Sequence, residues 1–227
     1  ARRSTNHFRS SPRQSLLPHK IHGLKHLARS GCFYKMQWVL ITIGVLAMGF
    51  FGYTYQSSKN LEQPDYRVLE KEGAFELREY VPSLWAEVNV SSANYDAMRQ
   101  GFRPLARYIF GGNQRGTSME MTAPVSLIME DSAPTMRFFM SAESRREDLP
   151  APNDPSVHFV EEPSRILAVY RFGGILSEEK RLEAGQKLKT WCDQRGYPLA
   201  GPVEVYGYNS PWEVIRRNEV AYPIERP

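Results

Sequence analysis

The run Gly101–Val125, GFRPLARYIFGGNQRGTSMEMTAPV, limits the folds open to this chain more than any other stretch. It carries a helical pattern into a Gly-Gly-Asn stop, then a short polar turn, then an apolar strand opening Met-Thr-Ala-Pro-Val. From Asn94 to Phe110, Met98, Phe102, Leu105 and Ile109 recur at spacings of three and four, the stripe of a helix buried on one side. Arg99, Arg103 and Arg107 fall on adjoining faces. Gly111 and Gly112 supply the left-handed backbone that ends such a helix, and Pro104 inside it removes one backbone hydrogen bond and bends it. Beyond the turn, Met119, Met121 and Ala123 alternate with Ser118, Glu120 and Thr122, the period of a strand with one buried face.

The same periodicity predicts strands at Tyr66–Leu69, Phe75–Tyr80, Leu84–Val90, Thr122–Met129, Thr135–Ser141, Val157–Glu161, Ile166–Phe172, Val203–Tyr208 and Glu219–Ile224. Helices are predicted over Asn94–Phe110 and Glu178–Arg195. Ser177 is a natural N-cap for the second, Gly196 its stop, and Leu182, Leu188 and Trp191 its inner stripe. A weak internal repeat divides the domain: NQRG at Asn113–Gly116 precedes Ala123-Pro124-Val125, and DQRG at Asp193–Gly196 precedes Gly201-Pro202-Val203. Two strand-helix-strand-strand units predict an α+β fold, a mainly antiparallel sheet, curved or closed, with a long helix from each half packed outside it. The Pro-rich loop Leu149–Pro155 separates the halves.

Charge excludes one function class. Eight of the 29 Lys and Arg residues precede Met36 with no acid among them, so the remainder is net negative, 21 bases against 25 acids. No basic groove with interleaved aromatics follows residue 60, and nucleic acid is not an expected partner. From Met36 to Tyr55 about twenty residues carry no charge, the length of a hydrocarbon core, with Trp38 at one end and Tyr53 and Tyr55 at the other. Residues 36–55 therefore read as a single transmembrane helix, retained because no small-x-small cleavage site follows, with the lipid bilayer as partner. Residues 56–64 read as a linker and 65–227 as one domain. Residues 1–35 read either as an organellar presequence or as an upstream translation artefact with Met36 the true start. If they belong to the protein, their positive charge sends the domain to the extracytoplasmic side of the membrane. With Cys32 and Cys192 alone, no disulfide within the domain and no cysteine-based metal site are expected.

Several segments, in order, resemble the SOUL haem-binding family: Phe75–Val90 (FELREYVPSLWAEVNV), Tyr108–Asn113 (YIFGGN), Met121–Val125 (MTAPV), Tyr170–Gly174 (YRFGG) and Tyr208–Val220 (YNSPWEVIRRNEV). The resemblance covers the chain from about Tyr66 onward. It implies a distorted barrel with two long helices and non-covalent binding of haem or a related tetrapyrrole, as carrier, buffer or sensor. One branch of the family uses an axial His where this chain has Glu79, so that ligation is absent here. In the branch that binds haem without His, contacts lie along the first helix, and the matching positions are Arg99, Phe102, Ala106 and Arg107. The arginines would meet propionates and Phe102 would stack on the ring.

Residue chemistry alone leaves other readings open. After residue 55, His158 is the one histidine, and VHFVE places it opposite Val157 and Phe159, on the solvent side. Met119, Met121, Met129 and Met140 are soft donors, but methionines on alternating strand positions are more often core filler; Met121, within the family motif, reads as packing beneath the first helix, and Trp85 and Trp212 read as structural. A small-molecule hydrolase or porphyrin-processing enzyme on the same barrel would draw on Glu79, Glu120, Glu204 and Tyr206 for proton transfer, yet none has a recognisable nucleophile beside it. The expectation is a binding protein, not an enzyme. A ligand-free interaction module is the third reading, and it expects no apolar cleft beside the first helix.

Overall fold

A computed structural model describes residues 36–46, 48–49, 61–92, 95–130, 133–209, 213 and 215–225. The chain divides into two units, residues 1–49 and 50–227. In the first, α1 (36–46) and residues 48–49 are helical. Among the described residues no helix is long and apolar enough to cross a membrane, so the expected span over 36–55 is not supported. A crossing takes about twenty residues and α1 is far shorter; residues 47 and 50–55 lie outside the described residues, as do 1–35, 56–60 and Trp212.

The second unit runs β1 (Tyr66–Glu72), β2 (Phe75–Tyr80), β3 (Ser83–Asn89), α2 (Tyr95–Ile109), β4 (Val125–Ile128), β5 (Thr135–Phe139), a 3-10 turn (Arg146–Asp148), β6 (His158–Glu162), β7 (Arg165–Gly173), α3 (Glu178–Arg195), β8 (Glu204–Gly207) and β9 (Arg217–Ile224). The strands form one antiparallel sheet in the order β1-β2-β7-β9-β8-β4-β5-β3-β6. That order has two ends. The sheet is a curled half-barrel, so the distorted barrel expected does not close: β1 and β6 do not pair among the described residues, and β1 carries a bulge between Val68 and Glu70, a device that twists an edge away from further pairing.

The repeat is present as topology. In β3-α2-β4-β5 and in β7-α3-β8-β9 the first strand pairs with the last and the last with the third. The halves meet at β4 and β8, and each lends a strand to the other, β2 to β7 and β6 to β3. The two QRG tetrapeptides do not mark equivalent places, since Asn113–Gly116 lies beyond α2 whereas Asp193–Gly196 closes α3.

Helix α3 has the predicted ends. The Ser177 hydroxyl accepts from the Lys180 amide at 3.3 Å, and Gly196 takes φ 69°. Its inner stripe is Ala184, Leu188, Trp191 and Cys192, while Leu182 is 56% exposed. Six residues separate Leu182 from Leu188, about 600° of turn, which puts them on different faces. Helix α2 shows a similar offset: Gly101, Leu105, Tyr108 and Ile109 face the sheet. A Cβ on Gly101 would lie 2.2 Å from Val90 Cγ1, so the backbone of α2 sits directly on the end of β3 and its neighbour Phe102 is turned aside. The strand expected from Thr122 begins at Val125. Pro124 has no amide to donate, and residues before it make only single bridges, Phe110 to Ser118 and Glu62 to Thr122.

Candidate functional site

Helix α2 packs on β3 and β5, and α3 packs on β7 and β9. The two central strands, β4 and β8, where the halves join, are left without a helix of their own. A groove of about 550 Å³ lies over this seam, within the 300–1,000 Å³ usual for small-molecule sites. Leu127 of β4 and Val205 of β8 line it from the sheet, Met98, Arg99, Phe102 and Arg103 from α2, and Met121 from the segment before β4. Phe102 is 39% exposed and leans edge-on against Phe138, with ring centroids 5.2 Å apart and planes at 62°.

Of the four positions expected to touch a ligand, the groove brings together Arg99 and Phe102 and leaves out Ala106 and Arg107. Ala106 is partly buried against the core. Arg107 lies beside Gly112, where a Cβ would meet its Cγ at 2.7 Å, and its charge reaches Asp154. It therefore serves the C-terminal end of α2. Arg103, placed by the sequence on an adjoining face only, lines the groove in its stead. A helical period locates the stripe, but only the depth of Gly101 against Val90 sets which arginines flank it.

The other candidates lie elsewhere. His158 is half-exposed, its Nε2 3.5 Å from Glu87. Glu79 accepts from Arg67 at 2.7 Å, and Glu120 is exposed. Glu204 and Tyr206 belong to the sheet face opposite the helices, in a buried ionic layer that no motif announces. There Arg78 holds Glu219 with two hydrogen bonds, 2.8 and 3.0 Å, and Tyr208 and Arg217 also donate to Glu219. A second cluster centres on Glu204, which receives Arg137 at 2.8 Å, Arg165, and the Tyr206 hydroxyl at 2.6 Å. Burial alone would raise the carboxyls of Glu204 and Glu219, but the guanidinium groups against them win and hold both below the ordinary range. Burial pushes the Tyr80 hydroxyl up to about 12, and Tyr206 and Tyr208 well above their ordinary value. Among the described residues, no buried side-chain polar atom lacks a partner.

The SOUL heme-binding protein family matches residues 61–223, a stretch holding every sheet strand and both long helices. The chain belongs to the SOUL haem-binding protein family. It is 27% identical over 179 residues to heme-binding protein 2 of Mus musculus, covering 73% of this chain and 87% of that protein. Heme-binding protein 1 of Xenopus tropicalis is 29% identical over 163 residues, covering 66% of this chain and 84% of that one. In fold the SOUL domain is similar to the EcmrR C-terminal domain, with TM-score 0.51 and 11% identity over 71% of this chain and 99% of the other. A hydrolase from Listeria innocua matches with TM-score 0.51 and 7% identity over 69% and 94% of the two chains. At such identity these two structures speak to the fold alone. The SOUL motifs MTAPV and YIFGGN flank the seam: the first contributes Met121, Thr122, Ala123 and Val125 to the groove, and the second ends α2.

Proposed function

We propose that this SOUL domain binds haem or a related tetrapyrrole reversibly in the groove over the β4–β8 seam, as a carrier, buffer or sensor. The observation that carries this reading is the groove itself, an apolar trough of about 550 Å³ with two guanidinium-bearing side chains, Arg99 and Arg103, along α2. A porphyrin presents two wide apolar faces and two carboxylates at one edge. Phe102 offers a ring for stacking and Leu127 and Val205 an aliphatic floor, while the arginines suit the propionates. When bound, haem would supply its iron; the protein supplies burial and orientation.

Binding without catalysis fits the state of the acids. Glu204 is held by two guanidinium groups and a tyrosine hydroxyl on the sheet face away from the groove, so it is poorly placed to take a proton from anything bound over the seam. The interaction-module reading, which expects no apolar cleft beside the first helix, has no support in a domain that carries one.

The test is a titration of the full chain with haem, followed by the shift of its main absorption band. A saturable shift is expected at micromolar haem. Exposed ion pairs contribute about 0.2–1 kcal/mol each, so Arg99→Ala combined with Arg103→Ala should weaken binding a few-fold. Phe102→Ala should cost about as much or more, through lost stacking of about 0.5–1.5 kcal/mol. Arg107→Ala should change nothing. No shift, or a loss with Arg107→Ala equal to that of the pair, would overturn the proposal.

A further inference from the structure

We propose that Met121 supplies a thioether ligand to the iron of haem in the seam groove, and that the site consequently favours ferrous over ferric haem. This rests on the haem reading of the groove and adds to it a ligand and a redox preference.

Haem iron is commonly held by His, Cys, Met or Tyr. The groove is lined by neither His nor Cys among the described residues. Its one tyrosine, Tyr208, donates its hydroxyl to Glu219 at 2.8 Å and lies under the Arg217 guanidinium, 3.8 Å from the ring centre, so its oxygen is engaged on the opposite face of the sheet. The Thr122 hydroxyl donates to the Phe139 carbonyl. What remains with a free electron pair suited to iron is sulfur, from Met98, Met121 and Met136.

Burial and anchoring separate the three. Met136 is 2% exposed and packed into the core of β5. Met98 and Met121 are only partly buried. Met121 sits in a segment pinned on both sides: the Met119 amide donates to the Ile109 carbonyl at 2.8 Å, the Thr122 hydroxyl to Phe139, and the Ala123 amide to the Glu62 carbonyl at 2.8 Å. A side chain on so fixed a backbone can hold a metal at constant geometry, whereas Met98 lies in the opening turns of α2. A thioether is soft and uncharged. It binds iron(II) better than iron(III), because it does not offset the extra positive charge of the oxidised metal, and it raises the reduction potential of the haem it holds.

The experiment titrates the full chain with ferric haem, with dithionite-reduced haem and with iron-free protoporphyrin IX. Ferrous haem should bind about tenfold more tightly than ferric, equivalent to a potential raised by about 59 mV over free haem. With imidazole added to occupy the other axial position, the ferric complex should show the weak far-red band of thioether-to-iron charge transfer. Met121→Leu, close in volume, should abolish the band and bring ferrous and ferric affinities together, whatever small change it makes in protoporphyrin uptake. Met98→Leu should keep both signatures. Equal ferrous and ferric affinity, or both signatures surviving in Met121→Leu, overturns the ligand while continued protoporphyrin uptake leaves the groove standing. Failure of all three pigments to bind overturns the groove and the ligand together.

Discussion

Glu219 has no exposed surface and yet carries a charge, because Arg78, itself 2% exposed, meets it with two parallel hydrogen bonds. Removing one partner of a buried pair leaves the other charge without compensation, at a cost of about 3–5 kcal/mol. Glu219→Ala should therefore lower the urea midpoint severely, and Arg78→Met combined with Glu219→Met should recover part of the loss; equal stability of the single variant and the wild type would show the layer to be solvated. None of this was legible in FELREY or RRNEV. Alternation assigns Arg78 and Glu219 to the face without helices, and a one-layer reading leaves that face to water. Curling of the sheet, together with Gln63 bonding to Arg217 at 3.2 Å, encloses it. The exposure of Phe102 has a different cause: its period fits the buried stripe, but the missing side chain at Gly101 lets the helix settle one residue round and turns Phe102 toward the groove.

That settling governs α2 as an element. Ala at position 101 favours helix by propensity, yet its Cβ would fall 2.2 Å from Val90 Cγ1, and the overpacking should dominate at about 1–3 kcal/mol. Gly101→Ala should lower the thermal midpoint and also weaken haem uptake, since lifting α2 moves Arg99, Phe102 and Arg103 together. A variant that loses stability with unchanged uptake would separate the helix from the site. Elements with strong end signals were readable from sequence alone. Ser177 and Gly196 bound α3 as expected, because each does its work through a local backbone hydrogen bond. The start of β4 was not, since the alternation Met119, Met121, Ala123 continues through residues that Pro124 removes from the ladder.

At the scale of the molecule, two halves that exchange strands and meet at β4 and β8 leave an uncovered seam on one face and an ionic layer on the other. The layer makes stability depend on pH. Glu204 and Glu219 ionise more readily in the folded state than their ordinary 4.5, so their contribution is complete above about 4.5 and is lost as pH falls through the depressed values. Glu162, raised chiefly by burial, acts in the opposite direction, but it is one carboxyl against two more deeply buried ones. The urea midpoint should be flat from about pH 7 to 5 and fall below about 4.5, with a shallower fall in Glu219→Gln; an unchanged midpoint down to pH 3 would contradict the layer. The twofold plan was visible in the order of predicted strands and helices, whereas the open edge of the sheet was not, because it depends on whether β1 and β6 can meet and the bulge in β1 is a matter of register. The seam groove can be located directly by methionine-methyl NMR of the full chain titrated with zinc protoporphyrin IX, a diamagnetic stand-in for haem. The methyls of Met98 and Met121 should shift first and furthest, with little change at Met140. Methyls of Met98 and Met121 that stay unmoved while the absorption band of the pigment reports its binding to the chain would contradict the account.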